Sequence, residues 1–185
     1  MNIQLLKAFF VITVLLFPLG ELARFSFEYN VAITANDLLV GIIVLFWFVN
    51  NQLKNIQQFA ITKSIGIFIA VCLLSLVINS NKYLINELFI AFLYLLRWSA
   101  YASLYFVVKE LKPSFKNKII PLMVIVGGVT VFGGYLQYFF YPNLRNLYYA
   151  GWDEHLYRMF SSFLDPNFAG AFFVLLFFLI SGIFF

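Results

Sequence analysis

Long apolar runs broken by short polar stretches set the pattern of this chain, and the runs have the length of membrane-crossing helices. A helix needs about 20 mostly apolar residues to cross the hydrocarbon layer. Six runs meet or approach that length, at about residues 5–19, 31–49 (with its apolar core from Asp37), 64–78, 84–108, 119–141 and 166–185. Lipid offers no partner to free backbone groups, so helix is the expected spanning form. No run alternates apolar and polar positions as a barrel strand does. The second and third runs are short, which suits little tilt or a start within the interface. The pattern predicts an all-α, polytopic transmembrane helical bundle of about six spans.

Composition agrees. The 185 residues are 63% hydrophobic, 21% aromatic and 11% charged, whereas soluble domains carry roughly a quarter charged residues. The apolar excess is therefore expected to face a lipid bilayer. The formal net charge of +4 does not imply nucleic acid, because the basic residues fall in short loops between apolar runs. Cys72 is the one cysteine, so no internal disulfide forms, and its place in an apolar run makes it a small core residue. Lys7 precedes the first run but no small-residue cleavage site follows, which marks a first span and not a removed signal peptide.

Charge then orients the spans. Lys7, Lys54, Lys63, Lys109, Lys112, Lys116 and Lys118 fall at the N-terminus and in the even-numbered loops. The odd-numbered loops and their helix edges hold Glu21, Glu28, Asp37, Glu87, Asp153, Glu154 and Asp165 against Arg24, Lys82, Arg145 and Arg158. The positive-inside rule places the N-terminus in the cytosol and the stretch from Arg158 to Asn167 on the extracytoplasmic face. The sixth span ends without a following Lys or Arg, so the chain is expected to be the N-terminal part of a longer protein whose C-terminal half is missing.

One segment suggests a chemistry. Residues 157–173 read YRMFSSFLDPNFAGAFF. Asp165 suits a helix N-cap and Pro166 the first helical position. Arg158, with Ser161 and Ser162, precedes that helix start by one or two turns. A guanidinium donates paired charged hydrogen bonds to phosphate, and a helix N-terminus attracts anions. Together with Asn167 these groups could hold a diphosphate, although a capping Asp165 would occupy some of the same N–H groups. The plainer alternative is an interfacial anchor beside a well-capped helix.

Other polar groups are weaker candidates. Arg97 lies near the middle of the fourth run, where a lipid-facing arginine costs about 2.5–3.5 kcal/mol. It is expected to meet either a polar cavity or lipid diphosphate, with Tyr94 and Tyr101 on its face, or an acidic partner from another span. The loop 141–157 carries Arg145, Tyr148, Tyr149 and Trp152. These could stack on a sugar, or collect at the interface without a ligand. Asp153, Glu154 and His155 in succession point different ways, so no metal site is expected, and His155 is a solvated loop residue. Gly127 and Gly134, seven apart on the fifth run, suit close helix packing.

The string from Arg158 through Asp165-Pro166-Asn167 to Gly170 resembles the motif opening the core region of the O-antigen ligase and O-antigen polymerase family. Weaker likenesses lie in Pro18-Leu-Gly-Glu-Leu-Ala-Arg24, Asp37-Leu-Leu and Tyr94-Leu-Leu-Arg97-Trp-Ser-Ala-Tyr101. Ser161-Ser162 departs from the Gly-Thr or Gly-Ser that members often carry. The resemblance implies a metal-independent, cofactor-free glycosyltransferase of the membrane-embedded C type in a bacterial or archaeal plasma membrane. Such an enzyme moves glycan from an undecaprenyl-diphosphate carrier to a glycan, lipid A core or protein acceptor on the outer face. Arg158 matches the early arginine that steadies the diphosphate; the family's catalytic histidine would lie in a later loop, outside this chain, and His155 does not substitute for it. The rival expectations are a secondary transporter or lipid flippase, with Arg97 and the glycine-rich span lining a path, and a non-catalytic membrane subunit.

Overall fold

A computed structural model describes residues 3–27, 31–51 and 61–184. Two charges used above to orient the chain, Glu28 and Lys54, lie outside them. Six α-helices follow in order: α1 (Ile3–Leu16), α2 (Ala35–Asn51), α3 (Thr62–Ile78), α4 (Ile85–Glu110), α5 (Pro113–Phe140) and α6 (Pro166–Phe184). Two three-residue strands, β1 (Arg24–Ser26) and β2 (Ala32–Thr34), pair between α1 and α2. Short 3-10 turns occupy Phe17–Ala23, Arg145–Ala150 and Ser161–Phe163.

Four helical stretches are long and apolar enough to cross a membrane: Gln4–Ala23, Ile85–Glu110, Pro113–Phe140 and Pro166–Ile183. The six expected spans are thus reduced to four on length. The 17 residues each of α2 and α3 reach about 25 Å at 1.5 Å per residue, short of the ~30 Å hydrocarbon layer. The second run also starts later than its hydropathy suggests. Residues 31–34 are extended, because Thr34 and Asp37 form a reciprocal cap: the Thr34 N–H donates to Asp37 Oδ2 at 2.7 Å, and the Asp37 N–H donates to Thr34 Oγ1 at 3.3 Å. The fifth helix begins six residues earlier than expected, with Pro113 as its first residue, where a missing N–H costs nothing.

The chain divides into two compact units. The first comprises residues 1–10 and 25–112. In it α4 packs against both α2 and α3. Val40, Ile43 and Trp47, at helical spacing on α2, are buried. Trp47 stacks on Phe106 with ring centroids 6.1 Å apart and donates its indole N–H to Glu110 Oε2 at 2.7 Å. On the α3 side Phe68 meets Trp98 at 4.2 Å.

The second unit comprises residues 11–24 and 113–185. Here α5 packs against α6 and against the Ser161–Phe163 turn, which also meets the Phe17–Ala23 turn. Phe163 is ringed by Phe17, Phe168 and Phe172 at centroid distances of 5.6, 5.1 and 5.4 Å. Gly127 lies so close to Leu176 that an added Cβ would come within 2.5 Å of Cδ1, and a Cβ on Gly134 would lie 3.1 Å from Met159 Sδ. These two glycines form a packing seam. Gly128 and Gly133, on the other faces of α5, have open space.

Most of the apolar helix surface is uncovered. Only 6% of the first and last long apolar windows is buried, and 17% and 28% of the middle two. Soluble monomers rarely expose such continuous apolar patches; the surface suits contact with a lipid bilayer.

Candidate functional site

Two polar constellations stand out, one in each unit. In the second unit, the segment from His155 to Leu164 is an irregular, tightly tied chain. His155, Tyr157, Ser161 and Leu164 all have positive φ, between +48° and +57°. Non-glycine residues seldom adopt this conformation, and each instance requires the surroundings to hold it. Gln137, from α5, supplies much of that hold. Its Oε1 accepts the N–H groups of Phe160 and Ser161 at 2.8 and 3.1 Å, and its Nε2 donates to the carbonyls of Tyr141 and Arg158 at 2.8 and 3.3 Å. Fully buried Phe160 and Leu144 and nearly buried Leu164 form the core beneath, with Tyr141, Leu147 and Trp152 packed against them.

This arrangement sorts the residues predicted to bind an anion. Arg158 is exposed, and among the described residues no hydrogen bond or ion pair engages its guanidinium. Ser161 points inward: its hydroxyl is buried and donates to the Thr130 carbonyl at 2.9 Å. It is therefore not open to a ligand, contrary to the expectation from sequence. Ser162 Oγ is buried with no partner among the described residues, close beside Gly20. Trp152 lies under the Arg24 guanidinium, 5.5 Å from ring centroid to Cζ, and Arg24 also pairs with Glu21 at 3.3 Å. Arg145 pairs with Glu154, whereas Tyr148 and Tyr149 are 68% and 88% exposed.

The start of α6 is also occupied. Pro166 has no N–H. The N–H groups of Asn167 and Phe168 both donate to Asp165 Oδ1, at 2.7 and 3.1 Å, and that of Ala169 donates to the Asp165 carbonyl at 3.0 Å. The helix N-terminus thus has no free N–H to offer an anion, and the cap carries a negative charge of its own. Of the predicted anion-binding set, Arg158 and the exposed side chain of Asn167 remain accessible.

In the first unit, Arg97 sits midway along α4, 12 residues from Ile85 and 13 from Glu110, about 18–20 Å from each end. Its Nη2 donates to the Ala32 carbonyl at 2.8 Å and pairs with Asp37 Oδ2. Tyr101 donates its hydroxyl to Asp37 Oδ1 at 3.0 Å, and the Thr34 hydroxyl donates to Oδ2 at 2.9 Å. The arginine's charge is thus met by an acidic group from another helix and not by Tyr94 or Tyr101. The same contact satisfies a carbonyl of the extended strand β2, a group for which lipid offers no partner. An open cleft of about 240 Å³ lies alongside, walled by Ile33, Leu38, Ile90 and Leu93 and reached by Tyr94, Arg97 and Tyr101.

Sequence reasoning missed Gln137 and the Trp47–Glu110 bond. The available signal for Gln137 was a single amide in the otherwise apolar stretch Gly133–Phe140. No group of three or more metal-ligating side chains occurs among the described residues.

These features define a helical protein with four helices suited to crossing a membrane and two tied polar clusters. Comparison with family models, curated proteins and solved structures finds no match to this chain.

Proposed function

We propose that this chain belongs to an O-antigen ligase- or polymerase-like glycosyltransferase of a bacterial or archaeal plasma membrane. In this reading all six helices are spans, with α2 and α3 as thin ones, and the N-terminus is cytoplasmic. The glycan donor is carried on undecaprenyl diphosphate and the acceptor is a glycan, a lipid A core or a protein on the outer face. The observation that carries the proposal is the exposed, unengaged Arg158 guanidinium on a backbone fixed by Gln137. A positioned cation can neutralise charge on the departing diphosphate, and such stabilisation acts most strongly in the transition state. The resemblance of residues 158–170 to the family motif supplies the reaction class.

A second reading is favoured by a specific observation: Asp165 fills the start of α6 and Ser161 is turned inward. Arg158 would then be an interfacial anchor in a non-catalytic subunit. A transporter or flippase path along α5 has less support, because Gly127 and Gly134 are packed against side chains. Arg158→Lys in the full protein, produced in host cells lacking the native gene, separates the first two readings. Glycan transfer is expected to fall by about 10²–10³, the size seen on removing one transition-state donor, with insertion and abundance unchanged. Transfer at the unmodified rate favours the anchor.

A further inference from the structure

The cleft beside Arg97 has a combination of features that the glycan-transfer reading does not use. Both recorded bonds of Arg97 come from Nη2; among the described residues, Nε and Nη1 have no partner, and neither has the Tyr94 hydroxyl. The Arg97 side chain lines the cleft and is 35% exposed, while that of Asp37 is 13% exposed. The rest of the wall is apolar. We propose that this cleft binds a neutral lipophile bearing carbonyl acceptors, of the isoprenoid-quinone class.

Each part of that description follows from the site. Arginine has only donors, so the ligand must accept. Asp37 already balances the guanidinium, which leaves little net positive charge to draw an anion out of water into an apolar site. Leu38, Tyr94 and Leu96 line the cleft and are each more than half exposed, on helix faces whose apolar surface suits lipid; a ligand entering between them must dissolve in the hydrocarbon layer itself. The volume of about 240 Å³ exceeds the roughly 150 Å³ of a cavity that admits benzene, so a substituted ring fits. The inference does not depend on glycan transfer, and either can fail without the other.

The test uses the full chain in nanodiscs with a short-chain benzoquinone as probe. Saturable binding with one site per chain is expected. Gly41 lines the cleft and a Cβ there meets nothing within 4 Å, so Gly41→Phe should fill the space without displacing backbone and abolish binding. Arg97→Lys keeps the charge opposite Asp37 but removes the guanidinium edge, and should weaken binding at least tenfold. Non-saturable uptake, equal binding by a folded Gly41→Phe protein, or equal binding by Arg97→Lys overturns the proposal. Should both variants fail to fold, competition in the unmodified protein decides: displacement by a second neutral quinone supports the assignment, and stronger displacement by a prenyl diphosphate overturns it.

Discussion

Gly20 has two separable reasons to be glycine, and replacing it by alanine tests both. Its backbone lies at φ +50°, ψ −130°, a region that side chains with a Cβ enter only under strain. An alanine Cβ would also lie 2.6 Å from the Ser162 carbonyl oxygen and 2.9 Å from the carbonyl carbon. These are backbone atoms of the Ser161–Phe163 turn, so no rotamer change relieves the contact. The strained backbone costs about 1–3 kcal/mol and overpacking about 1–3 kcal/mol, giving about 2–6 kcal/mol together. Two companion variants separate these costs. At Gly151, φ is +84° but nothing lies within 4 Å of a new Cβ, so Gly151→Ala should lose only the backbone cost, about 1–2 kcal/mol. Gly128 is helical with open space beside it, so Gly128→Ala should gain up to about 1 kcal/mol. Unfolding in mixed micelles, followed by tryptophan fluorescence, measures all three. The reasoning is refuted if Gly20→Ala loses less than about 0.5 kcal/mol, or if it is no worse than Gly151→Ala.

Gln137→Leu leaves two amides and two carbonyls of the 141–161 segment without their partner and should cost about 2–4 kcal/mol; faster tryptic cleavage after Arg158 is the readout, and an unchanged rate would show that the segment holds itself. Asp37→Asn and Arg97→Gln, made singly and together, should show a coupling free energy of about 1–3 kcal/mol in unfolding, and additive effects would mean that the pair contributes nothing to the α2–α4 contact. Trp47→Phe keeps an aromatic ring opposite Phe106 but loses the bond to the Glu110 carboxylate; a loss of about 1.5–3 kcal/mol in unfolding is expected, and an unchanged stability would mean that the indole N–H contributes nothing to the α2–α4 contact.

The helices were legible because hydropathy over some 20 residues dominates every other signal in this chain. Their ends were less so. Nothing in the apolar run tells that Ala35 rather than Val31 starts α2; the reciprocal Thr34–Asp37 bonds decide it, and they read equally well as an ordinary polar pair in a loop. The packing of Gly127 and Gly134 on one side of α5 follows from their seven-residue spacing, since seven residues make two turns. Arg97 announced its need for a partner through its cost in lipid, yet the choice of Asp37 is tertiary, set by where α2 begins against α4. Ser161 was misjudged for a similar reason. A serine beside an arginine and a helix start looks available, but a positive φ and the Thr130 carbonyl turn it into the core.

The occupied start of α6 changes what Arg158 must do if it meets a diphosphate. Had the α6 N-terminus been open, its dipole and free N–H groups would have shared the anion's charge with the guanidinium. Asp165 removes that help. Two other cations of the second unit are committed as well, Arg145 to Glu154 and Arg24 to Glu21 and Trp152. A diphosphate carries more negative charge than one guanidinium balances, so glycan transfer at this site requires a second cation released from one of those pairs or supplied from beyond the described residues. An interfacial anchor requires none. The two readings of Arg158 therefore differ in a physical demand, the presence of another positive group beside it when the ligand is bound, and that demand can be tested separately from the family resemblance.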